Sequence, residues 1–236
     1  MATSLQPPPE LETMQAEEVL RWAYSEFGDR LCLTCSWQRQ SSVLVHMVSG
    51  LGLDISVIEL DTELLFPETY ATREALVERY GLKLIRPGVL PIAEQHKAEG
   101  PNLWERDPDR CCHIRKVEPL ERALEPYDAW ITGIRREQSL TRGDAKKVEY
   151  SERYGVWKVQ PIVDWNAKRV DAYCLVNEVP VNPLHAQGYP SIGCIPCTRP
   201  VAAGEDERAG RWQDSDKLEC GIHAVPPAES ARAKGR

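Results

Sequence analysis

No stretch of the chain approaches the ~18 consecutive apolar residues that a membrane span requires. The opening MATSLQPPPELETMQ lacks the basic segment and apolar run of a secretory signal. Positive charge is not in excess either: 29 Lys and Arg stand against 36 Asp and Glu, a net charge of −7. That balance argues against nonspecific nucleic-acid binding, which depends on cations that neutralise phosphates. Internal repeats are missing, and so is the G-x-x-x-x-G-K-[ST] of the ordinary P-loop, which excludes a Walker-type nucleotide hydrolase. The expectation is a cytoplasmic protein that binds neither membrane nor nucleic acid. In that compartment, eight cysteines point to metal binding or catalysis more than to disulfides.

What the chain does have is an ordinary globular composition, 42% hydrophobic and 28% charged over 236 residues. Residues 1–13, with three consecutive prolines, read as a disordered lead-in. A helix from 14 to about 27 follows, with Thr13 as its cap and Gly28 at its end. RLCLTC, ISVIEL and LKLIRP then alternate with the helical stretches SSVLVHMVSGLG and PETYATREALVERYG. Continuous apolar strands alternating with helices predict an α/β domain built on a parallel sheet. GPNLWERDPDR reads as loop, CCHIRKVEPLERALE and AKRVDAYCLVNE as helices, DAWITGI and VWKVQPIVDW as strands. From Val179 prolines and glycines dominate, so this third must be pinned from outside. The organisation is one α/β domain over 14–212 and a mobile tail over 213–236.

Two constellations carry chemistry. Cys111 and Cys112 are adjacent, and Cys194 and Cys197 form a C-x-x-C shaped by Gly193 and Pro196. Four thiolates suit an iron–sulfur cluster or a structural zinc ion, and spacing alone does not choose between them. The turn TCSWQRQSS joins a strand to a helix, a place where amides and hydroxyls cradle phosphate. Ser36 and Ser41 are spaced as in the S-G-G-x-D-S loop of ATP pyrophosphatases, with Trp37 and Gln38 in place of the glycines. Cys32 and Cys174 read as core. In the tail, KLECGIH sets Cys220 near Lys217 and His223, in polar surroundings that favour a reactive thiolate. A stray thiol is the bland alternative. Basic clusters in RCCHIRK, GIRREQS and ERAGRW fit a small anionic ligand, although each alone also reads as a solvated face.

Taken together, CCHIRKVEPL, WITGIRREQSLTR, GYPSIGCIPCTRP, GEDERAGRW and ECGIH closely resemble the iron–sulfur branch of the adenylyl- and phosphoadenylyl-sulfate reductase family, the assimilatory adenylyl-sulfate (APS) reductases. The resemblance covers about residues 31–223. It implies a Rossmann-like sheet of the adenine nucleotide alpha hydrolase type, related to ATP pyrophosphatases. It implies a 4Fe–4S cluster on Cys111, Cys112, Cys194 and Cys197, with Cys220 as the nucleophile. The implied reaction turns adenylyl sulfate into sulfite and AMP through a Cys220 S-sulfocysteine, with thioredoxin as reductant. Lys116, Arg142, Arg208, Arg211 and His223 are implied to surround the anion. Thr34, Cys35, Ser36 and Gln40 are implied to line the nucleotide loop, with Leu60, Asp61 and Thr62 at the end of the second strand. Relatives form oligomers, so a homo-oligomer is expected.

Some residues depart from the family pattern. Glu63 stands where many relatives have glycine, the first loop carries Trp37 and Arg39, and LLFPETY resembles the cluster-free branch that uses the 3′-phosphorylated substrate (PAPS). A PAPS or dual-substrate reductase is therefore the alternative, with Arg39 as the candidate contact to an extra phosphate. A non-catalytic metal-knot protein and an adenylating enzyme of the pyrophosphatase type are further alternatives. ECGIH argues against the first, and the acidic charge and missing glycines against the second.

Overall fold

Six short strands form one sheet: β1 (Leu31–Cys35), β2 (Ser56–Glu59), β3 (Leu84–Ile85), β4 (Ala129–Ile131), β5 (Val148–Ser151) and β6 (Val156–Val159). Their order across the sheet is β3-β2-β1-β4-β6-β5. All neighbours are parallel except β5, which pairs antiparallel with β6 at the edge. The computed structural model describes residues 5–202, 204–213 and 215–223. The start of the expected lead-in and the part of the expected tail beyond His223 lie outside these residues.

The chain runs outward from β1 through β2 to β3, then returns to place β4 on the other side of β1. A crevice therefore opens beyond the carboxyl ends of β1 and β4, where open α/β sheets bind ligands. Leu33 registers with both Val57 and Ile131, which keeps those ends level.

Eight α-helices accompany the sheet among the described residues: α1 (Ala16–Phe27), α2 (Arg39–Gly50), α3 (Pro67–Tyr80), α4 (Ile92–Glu99), α5 (Leu103–Arg106), α6 (Pro108–Cys112), α7 (Glu118–Leu124) and α8 (Ala167–Val176). None is long and apolar enough to cross a membrane. α1 is capped by Gln15, whose amide donates to Glu18 Oε2 at 2.7 Å, rather than by Thr13. Thr13 instead closes the preceding turn on the Glu10 carbonyl. α3 ends as expected, on Gly81 in the left-handed region.

The stretch read as loop after Gly100 contains α5 and the start of α6. A π turn at His113–Val117 then joins α6 to α7, where an unbroken helix was expected. Pro119 is a sufficient reason. It has no N–H to give the Arg115 carbonyl and its ring crowds that oxygen, and a wider turn relieves both.

The lead-in is partly ordered. Pro9–Glu12 forms a 3-10 turn, and Leu11 is buried in the main core. Glu12 accepts from the Lys147 amide at 2.8 Å and pairs with Arg136 at 2.9 Å. Proline content alone did not reveal those partners. The loop-rich third is pinned from outside by hydrogen bonds from the Ile195 amide to the Leu64 carbonyl (2.7 Å) and from the Ile192 amide to Gln38 Oε1 (2.8 Å). Leu11→Ala should lower stability by about 3 kcal/mol in urea unfolding, as a buried leucine truncation does. A loss within noise would mean that this segment is solvated.

Candidate active site

β1 ends in the turn that leads to α2, and this turn is closed on itself. The Ser36 amide donates to Ser41 Oγ (3.1 Å), and the two hydroxyls lie 2.9 Å apart. Trp37 adopts a φ of 56°, a left-handed conformation usually left to glycine. It is held there because its indole donates to Glu59 Oε1 at 3.0 Å. Glu59 is itself buried and bridged by Arg73 (3.2 Å) and Arg86 (2.8 Å). Glu63 is likewise left-handed, with a φ of 56°. Its carboxylate accepts from the Ile92 amide and from Arg115, which is buried and also binds the Thr62 carbonyl. These bonds hold two non-glycine residues in backbone conformations that favour glycine.

A cavity lies over these strand ends. Thr34, Cys35, Ser36, Gln40, Leu60 and Thr62 reach it from the sheet side. Lys116, Arg142, Arg208, Arg211, Cys220 and His223 reach it from the π turn, the later loops and the tail. Asp61 is the exception among the residues singled out. Its carboxylate turns back to accept from Tyr70 (2.8 Å) and the Glu63 amide (2.9 Å), and it does not line the cavity. Arg39 does not line it either, because its guanidinium is paired with Asp171 on α8.

The tail is docked. Arg153 donates to the Gly221 carbonyl (2.8 Å), Tyr154 to that of Ile222 (3.1 Å), and the His223 ring stacks on Trp130 at 5.6 Å. Glu219 is paired with Arg142 (2.7 Å) and Arg208 (3.1 Å). Among the described residues neither Lys116 nor Arg211 has a carboxylate partner; Arg211 donates instead to the Cys197 carbonyl and Ser191. Gly193 makes room for it, since a Cβ there would lie 2.2 Å from Arg211 Nη2.

Burial works against the Cys220 thiolate, and Glu219 adds to that. Lys116, the Ile222 amide and Arg211 outweigh both, so the thiol is held below its ordinary value. His223 behaves differently. Burial and the charges of Lys158, Arg142 and Arg208 push it well below the histidine range, so its ring is neutral at pH 7. It therefore offers a flat surface rather than the positive charge expected of it. Burial pushes the Cys35 thiol up to about 12, so it stays protonated at pH 7.

Cys111, Cys112, Cys194 and Cys197 line a second, smaller cavity together with Arg115 and Lys116. Lys116 thus stands between the two cavities. Thr62 Oγ1 lies 3.2 Å from Cys194 Sγ, a further link between them. Burial pushes the thiols of Cys111, Cys112 and Cys197 up to about 11, so without a cation to replace their protons they stay neutral. Among the described residues no three such donors converge as the ligands of one ion. The four sulfurs nonetheless line one small cavity, a donor set whose chemistry would fit a thiolate-bound metal centre.

The model of the phosphoadenosine phosphosulfate reductase domain matches residues 30–200. The chain belongs to this family. Over 216 residues it is 45% identical to an adenosine 5′-phosphosulfate reductase of Halalkalibacterium halodurans, covering 90% of this chain and 93% of that protein. Among solved structures it is similar to the phosphoadenylyl-sulfate reductase of Candida auris, with a TM-score of 0.70 and 30% identity over 84% of this chain and all of that one. An FMN adenylyltransferase of Candida glabrata, at 13% identity and a TM-score of 0.58 over 90% of this chain and 73% of that one, shares the fold alone. The family fold is the adenine nucleotide alpha hydrolase type, as the resemblance implied.

Three residues of this family member escaped the sequence reading. Trp130, the surface on which His223 stacks, was hidden as one more apolar residue of a strand. Arg115 was one of several bases in RCCHIRK. Glu219 was visible in ECGIH, but nothing local says which cations a carboxylate will meet. Lys116→Met should raise the pH at which Cys220 becomes alkylated, because the thiolate loses its main stabilising charge. Followed by mass spectrometry of the tail peptide, alkylation at pH 7 should slow roughly tenfold; an unchanged rate would remove Lys116 from that role.

Proposed function

We propose that the chain reduces adenosine 5′-phosphosulfate to sulfite and AMP in sulfate assimilation, with Cys220 as nucleophile and a thioredoxin as reductant. The observation that carries this reading is the position of Cys220. Cys220 lines the cavity at the strand ends, where Lys116 and Arg211 favour its thiolate. The family relatives named above support the substrate class.

The nucleotide rests on the ends of β1 and β2, against Thr34, Cys35, Ser36, Gln40, Leu60 and Thr62. Its sulfonyl group is negative, so a thiolate can approach only where fixed cations offset the repulsion. Lys116 and Arg211 supply that charge. The Cys220 thiolate attacks the sulfur, an S–S bond forms, and the S–O bond breaks with its electron pair leaving on AMP. AMP is a good leaving group and needs no strong acid. A thioredoxin thiolate then attacks Cys220 Sγ. Sulfite leaves with the S–S electron pair, and the second thioredoxin thiol resolves the mixed disulfide. The reducing electrons come from thioredoxin. Cys111, Cys112, Cys194 and Cys197 hold a 4Fe–4S cluster in this reading; when bound, it braces the loop-rich third and shapes the field at Lys116. We extend the reading to a cytoplasmic homo-oligomer on the family resemblance alone.

For substrate choice, the engagement of Arg39 by Asp171 supports the substrate without a 3′-phosphate. Arg39, the one side chain singled out for that phosphate, is committed elsewhere.

Cys220→Ser should bind AMP as the wild type does and release no sulfite; full sulfite production would end the mechanism. Anaerobically purified protein should be brown, with iron and acid-labile sulfide, and a colourless, iron-free preparation would remove the cluster. The kcat/KM should be higher on adenosine 5′-phosphosulfate than on its 3′-phosphorylated form, and the reverse order would reassign the substrate.

A further inference from the structure

Glu219 precedes the nucleophile by one residue, and both of its oxygens are occupied. Oε1 accepts from Arg142 Nε (2.8 Å) and from the hydroxyls of Ser139 and Thr141 (3.3 Å each). Oε2 accepts from Arg142 Nη2 (2.7 Å) and Arg208 Nη2 (3.1 Å). The two-point contact with Arg142 fixes direction as well as distance. It is also sheltered: the side chains of Glu219 and Arg142 are each 10% exposed and that of Arg208 14%. Arg208 further donates to the Leu218 carbonyl at 2.8 Å. One carboxylate is thus gripped from two separate segments, the turn Leu140–Arg142 and the loop-rich third. Such a grip orders the backbone on both sides of it.

The grip also divides the cations. Arg142 and Arg208 share the single carboxylate of Glu219, which offsets part of their charge, whereas Lys116 and Arg211 have no carboxylate partner among the described residues. All four were expected to hold the substrate's anion. The geometry gives them two different tasks.

We propose that Glu219 is a positioning residue: its carboxylate clamps the tail onto Arg142 and Arg208, sets the Cys220 sulfur beside Lys116, and leaves Lys116 and Arg211 to meet the substrate's anion. This rests on Cys220 being the nucleophile. The clamp is ionic and made by the tail's own carboxylate, so it can release and re-form without unfolding the domain. The two-partner chemistry of Cys220 requires that reversibility.

A clamp and a mere neighbouring charge predict opposite results. The groups that face Cys220 are Lys116 and Cys112 from the α6 region, Arg208 and Arg211 from the loop-rich third, Tyr154 beyond β5, and Glu219 itself. Glu219 opposes the thiolate by its charge. If that were its only effect, its removal would make Cys220 ionise more easily. If it is a clamp, removal lets the sulfur drift from Lys116 and ionisation becomes harder.

The test is Glu219→Gln in the full-length protein. Tryptic cleavage after Lys217 should accelerate about tenfold, and the pH midpoint of Cys220 alkylation should rise toward that of a free cysteine. The kcat for sulfite release should fall at least tenfold, with the Kd for AMP changed less than threefold. Arg142→Lys, which keeps the charge but loses the two-point contact, should reproduce the faster cleavage. Glu219→Asp should recover part of the loss. A lower alkylation midpoint with unchanged cleavage would overturn the clamp, as would an unchanged kcat. These outcomes are separate from the nucleophile assignment, which fails only if Cys220→Ser makes sulfite.

Discussion

Two cations, Lys116 at the wall between two cavities and Arg211 on the first of them, have no carboxylate partner among the described residues. Holding such charges out of bulk water costs free energy that only a negative partner can offset. The available partners are sulfur and substrate: the Cys220 thiolate, the cysteines of the second cavity, and an anion in the first. Much of the surrounding architecture serves this arrangement. The π turn before Pro119 carries Arg115 and Lys116 on the face already occupied by Cys111 and Cys112. Gly193 leaves Arg211 the space that a Cβ would fill. Adding a carboxylate here would stabilise the empty protein and remove the charge that draws a thiolate and an anion together.

The two halves of the cavity are built to different degrees of permanence. The nucleotide side is braced from below by Glu59, buried and bridged to Trp37, Arg73 and Arg86, so that the strand-end turn keeps its left-handed residue. Breaking one partner of such a buried network is strongly unfavourable. The tail side is held by an ion-pair clamp, carbonyl acceptors and a ring stack, while Leu218 remains 69% exposed. Apolar contact is confined to the last described residues, where Ile222 and the His223 ring pack against the cluster around Trp130. That asymmetry fits the proposed function, in which the nucleotide side stays fixed and the Cys220 sulfur meets two partners in turn.

Much of this was legible before any coordinates. Alternating apolar strands and helices predict the parallel sheet because both faces of each strand are covered, and the carboxyl ends of β1 and β2 are where the site opens. The cysteine pairs and the tail motif marked the residues that converge on Lys116. The edge strand β5 and the helix α5 were missed because four residues each carry too little pattern to separate strand or helix from loop. The expected roles that changed share one cause. Asp61, Arg39 and His223 are polar groups whose function depends on what they face. Asp61 faces Tyr70, Arg39 faces Asp171, and His223 faces Trp130 and three cations.

By itself the sequence determined the order of elements, the set of sulfurs, and a tail with its cysteine among polar neighbours. These are local or periodic properties, set by propensity and by residue type. Tertiary structure alone decided which charges are paired and which are left free. Pairing depends on groups brought together across 77 residues for Glu219 and Arg142 and 132 for Arg39 and Asp171, and no local pattern encodes a contact made at that separation. Which of the four candidate cations lie against a carboxylate is therefore a property of the fold, because it follows from where Glu219 lands.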